Sequence, residues 1–292
     1  MINISTKQRK VKDKLMLWGI CFFAALTAVP LFAILLEVLF RGYDQLSWQF
    51  FTEPTPTAYK AMKAIEAGEP IPGGIANGII GTMIILSMAV VVAVPIGILC
   101  GAFLAENSKK RYAQVVSYLT DLLQGTPSVI IGIITYIWVV VPMKGYSAIA
   151  GSVALAIMML PLIIRSTEES LLAVPDGFRE GSLALGAGKV RTIFRIILPS
   201  AASGIVTAVI LAVGRIISES AVLILTLGMV VNLIPSSVLS PGTSLALDIY
   251  YFASHGYPDE AAATSVVLLL MVILLNLLAT GLGKLIKRRQ GE

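Results

Sequence analysis

An arginine and a glutamate stand inside an apolar stretch, Leu211-Ala212-Val213-Gly214-Arg215-Ile216-Ile217-Ser218-Glu219-Ser220-Ala221. On a continuous helix, residues four apart share one face. A charge at the centre of a bilayer costs about 2.5–3.5 kcal/mol on insertion scales, so such residues turn toward a bundle interior or a wet cavity. Two uses fit this pair. It neutralises itself as a structural element, or it forms an anion-translocation site in which Arg215 touches the substrate. The planar guanidinium fork suits an oxyanion, and Glu219 would orient Arg215 and keep it from holding the anion too tightly to release. Arg165, at the end of another apolar block, is the candidate inner counterpart, although a basic residue at a cytoplasmic helix end is ordinary. Catalytic chemistry finds no support. There is no Ser/His/Asp, Cys/His or paired-carboxylate constellation, so the chain reads as not an enzyme. His255 stands alone, and Cys21 and Cys100 lie inside apolar blocks; neither a metal site nor a disulfide framework is expected.

A second group of residues lies in a polar loop: Pro175-Asp176-Gly177-Phe178-Arg179-Glu180-Gly181-Ser182-Leu183-Ala184-Leu185-Gly186, and later Ile196-Ile197-Leu198-Pro199. Pro175 suits the first turn of a short helix. Phe178, Leu183 and Leu185 supply an apolar face, and Gly186 and Gly188 stop the helix. Such a helix lies on a lipid surface or docks on a partner. Phosphate-loop chemistry is excluded: Gly186-Ala187-Gly188-Lys189-Val190 lacks a glycine at position 183 and a hydroxyl at position 190. No cofactor is expected on this chain.

The elements that must position these residues follow from composition. Of 292 residues, 57% are hydrophobic and 13% charged, about half the charge of an ordinary soluble domain. The apolar residues gather in blocks at about 15–40, 75–105, 115–141, 149–164, 196–228 and 261–286. Most are long enough to cross a bilayer, which takes about 20 residues, so the fold class is all-α with six transmembrane helices. The first block exceeds a signal-peptide core and is read as an uncleaved span. Pro30, Pro95, Pro127 and Pro161 fall inside blocks, as membrane helices allow. The block at 196–228 is long for one span and is expected to include a lead-in or a break. Lysines and arginines cluster at Lys7–Lys14, Lys109–Arg111, 165–195 and Lys284–Arg289, against Arg41, Lys60, Lys63 and Lys144 on the other side. That bias puts both termini in the cytoplasm. The expected division is a basic tail (1–14), a first helix (15–40), an outer loop (41–74), a core of five helices (75–286) with an inner loop at about 166–195, and a tail (287–292). The net charge of +5 is read as topology signal and lipid headgroup contact, not nucleic-acid binding, because it flanks the spans.

Glu180, Gly186, Ile196, Leu198 and Pro199 fall in register with the EAA signature of binding-protein-dependent ABC importer permeases, which the loop resembles. Gly181-Ser182 departs from the usual two alanines but stays small. The likeness runs from Leu15 onward and is similar to the phosphate-specific importers, the PstA/PstC type. It is carried also by Gly73–Thr82, Gly125–Gly132, Pro161–Glu169 and the Arg215/Glu219 segment. The compact outer loop and short termini match the PstA side. The resemblance implies a type I importer permease (MetI-like) in a bacterial inner membrane. It implies that Phe178, Glu180, Gly181, Ser182, Leu183, Leu185, Gly186, Ile196, Leu198 and Pro199 couple the chain to a cytoplasmic ATPase. It further implies a second permease of PstC type, two ATPases of PstB type that bind ATP and Mg, and an external phosphate-binding protein of PstS type. Other readings are an importer of molybdate, tungstate or sulfate, and a stand-alone secondary transporter, for which broken half-helix pairs would speak.

Overall fold

Apolar length sets the spans, and a computed structural model shows how each is used. It describes residues 6–289; of the predicted tails, residues 1–5 and 290–292 lie outside the described residues. All regular structure among the described residues is helical. The first span is α1 (Thr6–Tyr43). The predicted outer loop folds into two short helices, α2 (Trp48–Thr52) and α3 (Ala58–Ala67). The Ser47 and Thr57 hydroxyls cap them, and Gly68 closes α3 at φ 69°. Then come α4 (Ala76–Asn107), α5 (Arg111–Gly125) and α6 (Ser128–Thr135). A π-turn (Tyr136–Val140) leads to α7 (Val141–Met143). After α8 (Ala148–Leu172) come α9 (Asp176–Ala184) and α10 (Lys189–Thr192). A second π-turn (Ile193–Ile197) leads to α11 (Leu198–Ser200), α12 (Ala202–Ile216) and α13 (Ala221–Thr226). The chain closes with α14 (Leu245–Ser254) and α15 (Pro258–Arg289).

Four spans are uninterrupted: Lys12–Tyr43, Ala76–Asn107, Ala148–Leu172 and Pro258–Gly281. The other two are bent, by 105° between α5 and α6–α7 and by 69° between α10–α11 and α12, which brings the total to six. Pro30, Pro95 and Pro161 do sit inside helices. Pro127 does not: it stands at the break before α6, because the residue ahead of a proline is pushed out of helical conformation. Both π-turns precede a proline, Pro142 and Pro199. A widened turn relieves the clash of the proline ring with the carbonyl four residues back.

The centre of the molecule is the pairing of α4 with α8. Ala89, Ala93, Gly97, Gly101 and Ala105 recur every fourth residue along α4 and are all buried. Small residues at that spacing let helix backbones come close in a membrane. A side chain at Gly97 would meet Ile163 at 2.6 Å, and one at Gly101 the Ile164 carbonyl at 2.6 Å.

Where α4 begins, polar groups tie four segments into a knot. The Thr55 amide and hydroxyl both donate to Asn77 Oδ1, each at 2.9 Å. The Leu245 amide donates to the Thr82 hydroxyl at 2.9 Å. The Thr243 hydroxyl donates to Asp248 Oδ1 at 2.8 Å. Thr55, Asn77, Thr82, Thr243 and Asp248 are all buried. Glycines in α4 make room for this knot: a methyl on Gly81 would overlap the Thr243 carbonyl oxygen. Backbone cannot swing aside as a side chain can, and overpacking of this kind costs about 1–3 kcal/mol. Gly81→Ala is therefore expected to lower the thermal midpoint of the purified protein by several degrees. Gly125→Ala, which meets nothing within 4 Å, serves as the control and should leave it unchanged.

Candidate functional site

Two places carry the residues singled out above. The first is the inner side. Here α9 begins at Asp176, with Pro175 ahead of it in extended conformation (φ −55°, ψ 138°) rather than in its first turn. Gly186 ends the segment at φ 82°, and the Gly186 and Ala187 amides return to the Leu183 and Ser182 carbonyls. Phe178 is 51% exposed and Leu185 90% exposed, with Leu183, Glu180, Gly181 and Gly186 also on the surface. An apolar helix face left open in this way is the expected form of a docking surface. Ser182 is different. It is buried and hydrogen-bonded to Thr192 across 2.9 Å, tying α9 to α10, a task alanine cannot do. Ile196 and Leu198 pack inward on the cluster around Leu171, Val174 and Ile197, so they support the helix rather than face a partner. A cavity of about 690 Å³ lies beside it, lined by Ser170, Val174, Phe178, Arg195, Pro199 and Gly204 among others.

α8 runs on to Leu172, so the first residues of the predicted inner loop are helical, and Arg165 lies within α8. Its guanidinium is fully engaged. Nε donates to Asp121 Oδ1 at 2.7 Å, and Nη2 donates to Asp121 Oδ2 and to the Ser117 carbonyl at 3.2 Å. Nη1 donates to Glu168 at 2.8 Å. Two carboxylates therefore hold the fork that the sequence reading offered to a substrate. Arg165 clasps α5 to α8 in this conformation, and its partner Asp121 was not visible from spacing.

The second place is the bent span that holds Arg215 and Glu219. The expectation that they share a helix face is not met: α12 ends at Ile216, and residues 217–220 form a break before α13. Arg215 occupies the last turn of α12, where a cation complements the helix dipole. Glu219 is half-buried in the break, near enough to feel the charge of Arg215. No hydrogen bond or ion pair engages the Arg215 guanidinium among the described residues, and its side chain faces out of the chain beside exposed Leu211. Irregular backbone at membrane depth is tolerated only where protein buries it or water lines it. The break and the exposed arginine thus point to the same wet or partner-covered surface.

Several apolar spans, one broken around an exposed arginine, with a short helix that leaves apolar residues open, define a multi-pass membrane protein. Residues 93–292 match the family model described as "Binding-protein-dependent transport system inner membrane component", and the chain belongs to that family. Over 84% of its length it is 36% identical to the phosphate transport system permease protein PstA of Yersinia pestis, of which it covers 81%. Over 96% of its length it is 35% identical to the PstA of Pasteurella multocida, of which it covers 97%; within the family it stands with the PstA-type permeases. The fold matches that of the inward-facing MetNI methionine ABC transporter with a TM-score of 0.58, over 78% of this chain and 96% of that one, at 18% identity. The type I importer architecture (MetI-like) is thereby shown. Broken helices occur within it, so they do not mark a stand-alone transporter.

Proposed function

We propose that this chain is a permease subunit of an ATP-driven importer that carries inorganic phosphate across the bacterial inner membrane. The observation that carries the reading is Arg215, exposed at the break of the fifth span with no protein partner among the described residues. Phosphate bears roughly −1.5 to −2 charges near pH 7 and several acceptor oxygens, and a guanidinium fork matches them. The relatives named PstA, similar over nearly the whole chain, support the choice of anion. Glu219 limits the affinity and holds Arg215 in place. It also supplies an acceptor for the proton of hydrogen phosphate, which sulfate lacks. Anion contact at Arg165 requires the clasp with Asp121 to open.

Inward movement of each negative charge against 100 mV costs about 2.3 kcal/mol, so the device needs a power source. This chain is not an enzyme and carries no cofactor. Two PstB-type ATPases bind ATP and Mg, and α9 docks on one of them through Phe178, Leu183 and Leu185. A second permease of PstC type closes the cavity at Arg215, and a PstS-type binding protein delivers phosphate to the outer loops. Both termini are cytoplasmic.

The test is uptake of labelled phosphate by proteoliposomes that contain the whole complex, the binding protein and internal ATP, with excess unlabelled sulfate or molybdate. ATP-dependent phosphate uptake indifferent to both competitors is expected. Transport of a competitor in place of phosphate would keep the importer and overturn its substrate.

A further inference from the structure

The docking helix α9 packs on α10 and on the π-turn that follows it. Toward α4 and α8 its hydrogen bonds among the described residues come from one side chain, Arg179. This arginine is 19% exposed and makes bonds in three directions. Nη2 donates to the Leu171 carbonyl at 2.8 Å and Nη1 to the Val174 carbonyl at 3.1 Å. These are carbonyls from the last turn of α8 and just beyond it, where the usual amide four residues on is missing; Leu171 otherwise accepts only from the nearby Ala173 and Val174 amides. Nε donates to Glu106 Oε1 at 3.3 Å, and Glu106 stands in the last turn of α4. Nη1 also reaches Asp176 at 3.4 Å, within α9 itself. One planar group therefore joins α9 to the inner ends of the two helices that form the centre of the molecule. A lysine offers a single ammonium and cannot reproduce three divergent, in-plane bonds.

We propose that Arg179 is the joint through which displacement of α9 moves α4 and α8, a positioning residue that couples ATP hydrolysis to opening of the anion path. The proposal rests on the reading of α9 as the ATPase-docking helix. It assigns a role inside that loop to a residue the docking face does not use. Two ties hold α9 in place: Arg179 bonds it to α4 and α8, and Ser182 bonds it to Thr192 in α10.

The experiment uses the whole complex in proteoliposomes and measures ATP hydrolysis and anion uptake in the same vesicles. Arg179→Gln is expected to hydrolyse ATP while the anion carried per ATP falls about tenfold, the size of a broken coupling contact. Arg179→Lys should fall between, and Glu106→Gln, which weakens only the α4 arm, should show a smaller loss. A second measurement needs no substitution of Arg179. Spin labels at Gly177→Cys on α9 and Ser108→Cys beyond α4, in a protein lacking Cys21 and Cys100, report the distance between the two elements. That distance is expected to stay constant between nucleotide-free and ATP-bound complexes, because the joint makes them one body. An unchanged uptake-to-hydrolysis ratio in Arg179→Gln, or a shift of several ångströms between the labels, would overturn the joint. If Arg179→Gln does not assemble, the label distance decides. Absence of ATP-driven uptake in the unsubstituted complex would instead overturn the importer reading.

Discussion

Arg215→Ala is expected to reduce ATP-driven phosphate uptake about 10- to 150-fold in complexes that assemble normally, the equivalent of about 1.5–3 kcal/mol for hydrogen bonds to a charged group. Arg215 closes α12 and points out of the chain, and residues 217–220 beside it are not helical. Lipid cannot satisfy either an arginine or an open backbone at that depth, so water, a partner chain or a passing anion must. The guanidinium makes no hydrogen bond or ion pair among the described residues, so its removal breaks no bonded contact; half-buried Glu219 loses only a through-space charge, and folding should survive. Arg215→Lys keeps the charge and loses the fork, and should retain part of the uptake. Glu219→Gln tests the other half of the pair. With less competition for Arg215, phosphate should bind more tightly and leave more slowly, lowering the maximal rate rather than raising KM. Initial uptake rates per assembled complex check all three. Wild-type rates in Arg215→Ala would remove the residue from the path.

What could be read in advance divides along a physical line. Local information was sufficient where the chemistry is local. The short helix α9 is legible in its apolar residues and in Gly186, although Pro175 precedes it instead of forming its first turn. The spans were placed by apolar length. Hydropathy alone does not report continuity, and the bent span at 115–141 reads as a single block, whereas the excess length of the block at 196–228 does signal a lead-in or a break. Pro127 carried a signal that was read as tolerable when it was in fact a break. The end of α12 at Ile216 had no comparable punctuation, since Ile216 and Ile217 continue the apolar run. The remaining misses are contacts distant in sequence. Asp121 lies 44 residues from Arg165, and Glu106 lies 73 from Arg179. No periodicity joins such pairs. A charge next to a span has a bland explanation until its partner is seen, and here the partner converted Arg165 from a candidate anion contact into a clasp. The buried knot where α4 begins was missed for a related reason. Asp248 follows a stretch rich in serine and proline that reads from sequence as a loop, where an acidic residue is expected to be solvated.

That knot yields a pH dependence of opposite sign to the usual carboxylate. Asp248 belongs to α14, outside the spans, and is fully buried. Its Oδ1 accepts from Thr243, while Oδ2 is pressed against Gly78 and has no hydrogen-bond partner. Burial pushes the carboxyl up to about 8, and the Thr243 and Thr55 hydroxyls only partly offset it. In the unfolded chain the same group ionises near 3.8. Below that value both states hold the proton, and Asp248 adds no pH dependence. Between about 4 and about 8 the unfolded state releases its proton and the folded state does not. Stability then falls as pH rises, at up to about 1.4 kcal/mol per pH unit. Above about 8 the folded state ionises too, and the penalty stops growing. Asp248→Asn keeps the shape and removes the titration. The unsubstituted protein should melt at a lower temperature at pH 8 than at pH 5 by more than its Asp248→Asn counterpart does. The variant should be the more stable of the two at pH 8, and the gap should close toward pH 5. Thermal midpoints of the purified complex at pH 5, 6.5 and 8 would measure this. Parallel profiles for the two proteins would mean that the carboxyl is charged in the fold and finds a donor that the knot described above does not contain.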